Sequence, residues 1–224
     1  MATSGTYSFA LDIDEVIQEA LEMIGGEQTL GNDPKSARRS INLMLQDWQN
    51  RGILLWTSNT TIVSLTTSVT SYDLNANIVD VTDAVLTRSG TDIALTRISM
   101  EEYLRIPRKS QTGRPSQFAI RREQDNPTLF LWPIPINSTD TLKIERVKFM
   151  QDVNKSAGQN ADISRRFLPA FTAGLAHQMA WKRPGVEGGR ISALKQEYEL
   201  LLARAMDEDR ERASIKIVPK LNRA

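Results

Sequence analysis

His177 is the only histidine in this chain of 224 residues, and there is no cysteine. An imidazole can move protons or bind a metal near neutral pH, but it needs a carboxylate, a nucleophile or further ligands at set spacings. His177 is followed by Gln178, no His/Glu metal spacing surrounds it, and it reads as a structural residue in mid-helix. The lack of thiols removes disulfide scaffolds, thiolate zinc sites and cysteine nucleophiles, and suits assembly in a reducing cytoplasm. Carboxylate pairs such as Glu15–Glu19 and Glu101–Glu102 fall on amphipathic helices, where capping and solvation account for them better than a glycosidase-like acid–base pair. The run Asp207-Glu-Asp-Arg-Glu-Arg212 lacks the alternate carboxylates and closing Glu of a calcium loop. It reads as a solvated helix end, or as a source of intersubunit ion pairs in a symmetric ring. Gly185 to Gly189 has no Gly-Lys-Ser/Thr after it and helices on both sides, unlike a phosphate-binding loop.

Two segments remain. Arg105, Arg108, Lys109 and Arg114, with Tyr103 nearby and Arg121–Arg122 beyond, form the densest basic stretch. It reads either as a contact for DNA phosphates or an acidic partner, or as a solvated loop. The formal charge of the whole is only +1, from 28 basic and 27 acidic residues, whereas proteins that grip duplex DNA usually carry a basic excess. The second segment, Ser214-Ile-Lys-Ile-Val-Pro-Lys220, is extended and weakly alternating. Such a strand is a sticky edge that either pairs back on its own domain or adds to a neighbour.

The elements that position these residues run helices, strands, helices. Asp12 is placed to cap a helix with Glu15 in the capping-box position, and Ile13, Val16, Ile17, Ala20, Leu21 and Ile24 form its apolar stripe until Gly25-Gly26. Asp33-Pro34 opens a second helix with Ala37, Ile41, Met44, Leu45 and Trp48 on one face, and Gly52 at its C-cap. Strand signals follow: Ile62 to Leu65, Val69 to Leu74, a bulged run around Val79 to Leu86, a Ser89-Gly90 turn, and Ile93 to Ile98. Ser99, with Glu102, caps a short helix ended by Pro107. Phe118 and Ile120 lead through Gln124-Asp-Asn-Pro127 to Leu129–Trp132, apolar on both faces and so central. From Leu142 to Phe149 the alternation changes parity, which predicts a bulge near Glu145–Arg146. Phe167, Phe171, Leu175 and Met179 recur at helical spacing in a helix from Ile163, and Ile191, Leu194, Tyr198, Leu201 and Ala205 in a last one.

The implied class is α+β: a helical bundle formed by the N- and C-terminal helices, a β-rich middle and an extended C-terminal tail. The expected divisions are 1–53 with 163–213 for the bundle, 54–150 for the β-rich domain, 151–162 for a linker and 214–224 for the tail. No apolar run approaches the roughly 20 residues of a membrane span, and Met1-Ala-Thr-Ser-Gly-Thr-Tyr lacks a signal peptide's basic start. A soluble, non-secreted protein without a membrane association is expected.

Four stretches carry a resemblance. They are Ala37-Arg-Arg-Ser-Ile-Asn-Leu-Met-Leu-Gln-Asp-Trp-Gln-Asn-Arg-Gly-Ile-Leu-Leu-Trp56, Thr67-Ser-Val-Thr-Ser-Tyr-Asp-Leu74, the block Leu95 to Pro135, and Arg204 to Pro219. In order and spacing the chain resembles the podovirus head-to-tail adaptor family, also called packaged-DNA stabilisation or head-completion proteins. The resemblance implies a structural virion protein without enzymatic activity or cofactor. It implies a ring of twelve subunits beneath the portal protein, at the head–tail junction. That ring would extend the DNA channel, help retain packaged DNA and offer a platform to a downstream tail protein, nozzle or tail tube. In such families the C-terminal segment reaches the portal, which here assigns docking to Ser214, Ile215, Lys216, Ile217, Val218, Pro219 and Lys220. Some adaptors have been suggested to degrade cell wall, but no residues here support it. The competing reading is a nucleic-acid-binding module using Arg105, Arg108, Lys109 and Arg114.

Overall fold

The structure, a computed structural model, describes residues 5, 9–25, 33–53, 57–154 and 158–209. Helices stand at both ends of the chain and strands in the middle, as the sequence predicts. The chain divides into two compact units, one of residues up to Met44 with those from Val153 on, the other Leu45–Asp152.

In the helical unit, α1 (Ile13–Ile24) starts with the expected capping box: the Glu15 N–H donates to Asp12 Oδ1 at 2.7 Å and the Asp12 N–H to Glu15 Oε2 at 2.9 Å. Its whole predicted stripe is buried. Gly25 ends it at φ +80°, where an L side chain is strained, and Arg190 then closes the end. The Arg190 guanidinium donates to the Met23 carbonyl at 2.8 Å, giving a cation to the negative end of the helix. In α2 (Asp33–Asn50), Ala37, Ile41 and Met44 are buried. The Asn42 side chain exchanges two hydrogen bonds with the Val153 backbone, at 3.1 and 2.8 Å.

The C-terminal helices depart from the expectation in three ways. First, a 3-10 turn at Arg165–Phe167 precedes α4 (Leu168–Lys182), so that helix begins later than Ile163. Second, α4 is buried on nearly all sides from Ala170 to Ala176 rather than along one stripe. Its small residues allow this: a Cβ on Gly174 would come within 2.6 Å of Met44 Sδ and 2.8 Å of Tyr198 Cε2. Third, α5 (Gly188–Glu208) takes Gly188 and Gly189 into its first turn and buries Leu194, Tyr198, Leu202 and Ala205. Leu202 replaces the expected Leu201 because Leu200, Leu201 and Leu202 are all apolar and only packing fixes which one turns inward.

In the other unit, α2 continues through buried Leu45 and Trp48. Gly52, at φ +83°, donates to Gln49 and Ile53 to Trp48, a Schellman-type stop. Two four-stranded sheets follow. One has the order β1 (Ser58–Ser64), β10 (Thr141–Lys148), β3 (Ile78–Arg88), β4 (Thr91–Ala94), all antiparallel. The other has the order β2 (Ser71–Asp73), β8 (Thr128–Trp132), β7 (Gln117–Arg121), β5 (Thr96–Arg97). A short parallel pair joins β6 (Thr112–Gly113) to β9 (Ile134–Pro135). Leu65, Leu86, Leu142 and Ile144 meet Phe118, Leu129 and Leu131 in one apolar cluster. The β8 strand is internal, as its sequence predicts.

A register shift falls between Glu145 and Arg146 as expected, but the extra residue, Thr82, is on β3: Glu145 faces Asp83 and Arg146 faces Val81; a second shift, between Val147 and Lys148, leaves Val79 over on the same strand. Ser89 and Gly90 both have positive φ, the geometry of a two-residue type I′ hairpin. The single strand expected over Ile93–Ile98 is instead split at Leu95. Leu95 N–H donates to Ala84 of the first sheet and Thr96 N–H to Ser116 beside the second, both at 2.9 Å. The chain changes sheets there with Leu95 buried.

Candidate functional site

The basic segment is held by the block that precedes and follows it. Ser99 and Glu102 form a capping box on α3 (Met100–Arg105), and the Ser99 backbone and hydroxyl hold the Glu102 carboxyl below its ordinary pKa. Within α3, Tyr103 points inward and meets Phe130 of β8, ring centroids 5.2 Å apart. The Arg121 guanidinium lies 5.0 Å above the same ring, a cation–π contact. Burial pushes the Tyr103 hydroxyl pKa up, against the pull of Arg121. After α3 the loop is strapped down: Trp132 Nε1 donates to the Arg108 carbonyl at 3.2 Å, and Ile134 N–H to that of Gln111 at 2.9 Å.

The four candidate cations do not share one state. Arg105 pairs with Glu101, one turn before it on α3. Lys109 donates to the Leu104 and Ile106 carbonyls at 2.7 and 3.2 Å, satisfying the end of that helix. Arg108 and Arg114 are exposed and make no ion pair among the described residues. Nearby, Arg97 and Arg122 both converge on Asp80, and Arg121 is shared between Phe130 and Glu123.

Asp80 had a signal in the sequence, a lone carboxylate inside the apolar run Val79–Val81, but its two partners are distant in the chain. The same holds for Asp140, 3 % exposed in its side chain, which accepts from Arg88 Nε at 2.9 and 3.0 Å.

His177 is half-buried on α4; burial and then the Lys195 cation press its pKa below the ordinary value, while Glu199 acts in the opposite sense. No group of three or more potential ligands able to hold a metal occurs among the described residues. No helix among them is long and apolar enough to cross a membrane. The segment expected to dock on the portal, Ser214 to Lys220, lies outside the described residues.

The profile of one protein family, described as SU10 adaptor protein, matches residues 11–219. No curated protein matches the chain.

Proposed function

Since the chain belongs to the SU10 adaptor protein family, a family of phage head-to-tail adaptors, we propose that it forms a ring beneath the portal, extends the DNA channel, helps retain packaged DNA and gives the tail a platform. It is a structural component of the virion that works by contact. Twelve subunits would close the ring, and assembly would take place in the host cytoplasm.

The observation that carries this reading is the length of the family match, which runs from α1 through both sheets and past α5 to residue 219. Ring closure would be heterologous, one flank of a subunit meeting the other flank of the next. Portal docking assigned to Ser214–Lys220 would gather subunits side by side, so that weak lateral contacts reinforce each other. A net charge of +1 suits a wall past which DNA must slide.

Deletion of residues 214–224, followed by electron microscopy of the protein mixed with portal rings, tests the docking. The expected result is a folded protein that no longer decorates the portal; unchanged decoration removes the assignment.

A second reading, DNA binding through Arg108 and Arg114, is favoured by their exposure and lack of ion pairs among the described residues. It requires affinity for free duplex that falls steeply with salt and drops on Arg108→Ala/Arg114→Ala.

A further inference from the structure

A cleft of about 550 Å³ opens beside α4 and the start of α5, lined by His177, Gln178, Trp181, Lys182, Ser192 and Lys195. Clefts of roughly 300–1,000 Å³ are of the size that takes small ligands. Two features say which kind. Trp181 is 76 % exposed, the largest exposure of a big apolar side chain among the described residues. An indole presented in this way is a platform on which any nucleobase can stack. The cations around it are also unanswered: Lys182 donates to the Ser40 hydroxyl, and neither Lys182, Lys195 nor Arg39 has a carboxylate partner among the described residues. Partial burial and then the Arg39 charge lower the Lys182 pKa, the mark of a cation placed near another cation. The charges come from three helices of one compact unit, Arg39 on α2, Lys182 on α4 and Lys195 on α5. Glu199, one turn beyond Lys195, acts on His177 from the same helix.

A carboxylate-rich peptide would meet these cations but leave the indole without a counterpart. A nucleotide answers both. Its phosphate matches the cations, its base has a face for Trp181, and the polar edge of that base suits the Gln178 amide and the Ser192 oxygen. The Ser192 hydroxyl donates to the Gly188 carbonyl at 3.1 Å, which leaves its oxygen as an acceptor. Within a duplex the base faces are already stacked on each other, so an unpaired nucleotide is the form that presents one.

We propose that the cleft beside α4 and α5 binds an unpaired nucleotide of a nucleic-acid strand, the base stacked on Trp181 and the adjoining phosphates met by Lys182, Lys195 and Arg39. The site belongs to the helical unit, whereas Arg108 and Arg114 belong to the other, and it does not depend on ring assembly.

Trp181 itself reports the binding, because a base stacked on an indole quenches its fluorescence. Titration of the full-length protein with a short oligothymidylate is expected to quench the emission, with an affinity that falls as salt rises. Trp181→Phe should abolish the quenching yet keep binding, followed by anisotropy of a labelled oligomer, within about threefold, whereas Trp181→Leu should weaken it about tenfold, the usual worth of one stacked base. Lys195→Ala should lower the slope of log affinity against log salt by about 0.7. Arg108→Ala/Arg114→Ala should change neither readout. Urea midpoints that match the parent show that each variant is folded. Equal affinity for a blunt duplex of the same length, or binding indifferent to Trp181→Leu, reduces the cleft to a phosphate patch and overturns the proposal. Displacement of the oligomer by thymidine monophosphate as readily as by unlabelled oligomer assigns the cleft to free nucleotides. Equal displacement by polyglutamate assigns it to an acidic protein. Either result overturns the strand, as does the absence of any binding, and all of them leave the adaptor reading standing.

Discussion

The two units treat their positive charges differently. In the β-rich unit most arginines are answered within the fold: Arg88 by Asp140, Arg97 and Arg122 by Asp80, Arg105 by Glu101. Beside α4 and α5, Lys182, Lys195 and Arg39 lack a carboxylate partner among the described residues. Within the densest basic run of the sequence, Arg105 meets a carboxylate and Lys109 two carbonyls, while Arg108 and Arg114 make no ion pair among the described residues, so that run is neutralised only in part. The less neutralised patch draws on residues 39, 182 and 195, which no local window would group. Charge density along a chain and charge available to a partner are separate quantities, because a nearby carboxylate or carbonyl takes up the first before it becomes the second.

That contrast can be broken at several points. The largest loss of stability is expected from Arg88→Ala, which strands the buried Asp140 carboxylate. Its urea midpoint should fall further than that of any other variant named here, with Arg88→Lys in between. Next is Gly174→Val, where no charge is involved. Added bulk against Met44 and Tyr198 should cost about 1–3 kcal/mol in equilibrium unfolding. Arg105→Ala removes a pair exposed on both sides, and chemical denaturation should register about 0–1 kcal/mol. Lys195→Ala should stay within about 0.5 kcal/mol of the parent, as an exposed side chain without an ion pair among the described residues. If it destabilised as much as Gly174→Val, the contrast between the units would be wrong.

The smallest effect concerns pH. The folded-state pKa of His177 lies below 6.5, chiefly through burial and then Lys195. On acidification the unfolded chain therefore takes up that proton first. Stability is intact above about 6.5, declines as pH falls through it, and stops declining once the folded imidazole also protonates. Thermal melts from pH 8 to 5 should show a shallower slope for His177→Gln than for the parent.

What could be read from the sequence was what local spacing controls. The boxes at Asp12/Glu15 and Ser99/Glu102 are three-residue contacts, and both formed as read. The stripe of α1 and the Ser89-Gly90 turn also rest on neighbours in the chain. The split at Leu95 escaped, because whether a strand continues or crosses depends on the acceptors offered by Ala84 and Ser116. The all-round burial of α4 escaped for a similar reason. Alanine, glycine and threonine between larger apolar residues look neutral in a periodic pattern, yet they let other helices come close. At the candidate site, Arg105 and Arg114 look equivalent in sequence; only the turn of α3 gives Arg105 a glutamate.

Burying α4 on nearly every side has a consequence for synthesis. The helix begins at Leu168, whereas α1, which packs on it, is complete at Ile24. At the usual pace of translation, roughly 7–30 s pass between the two leaving the ribosome. During that interval the oily stripe of α1 has no lasting shelter in its own chain. The nascent polypeptide is then at its most vulnerable to clumping, and a chaperone would find its handhold there.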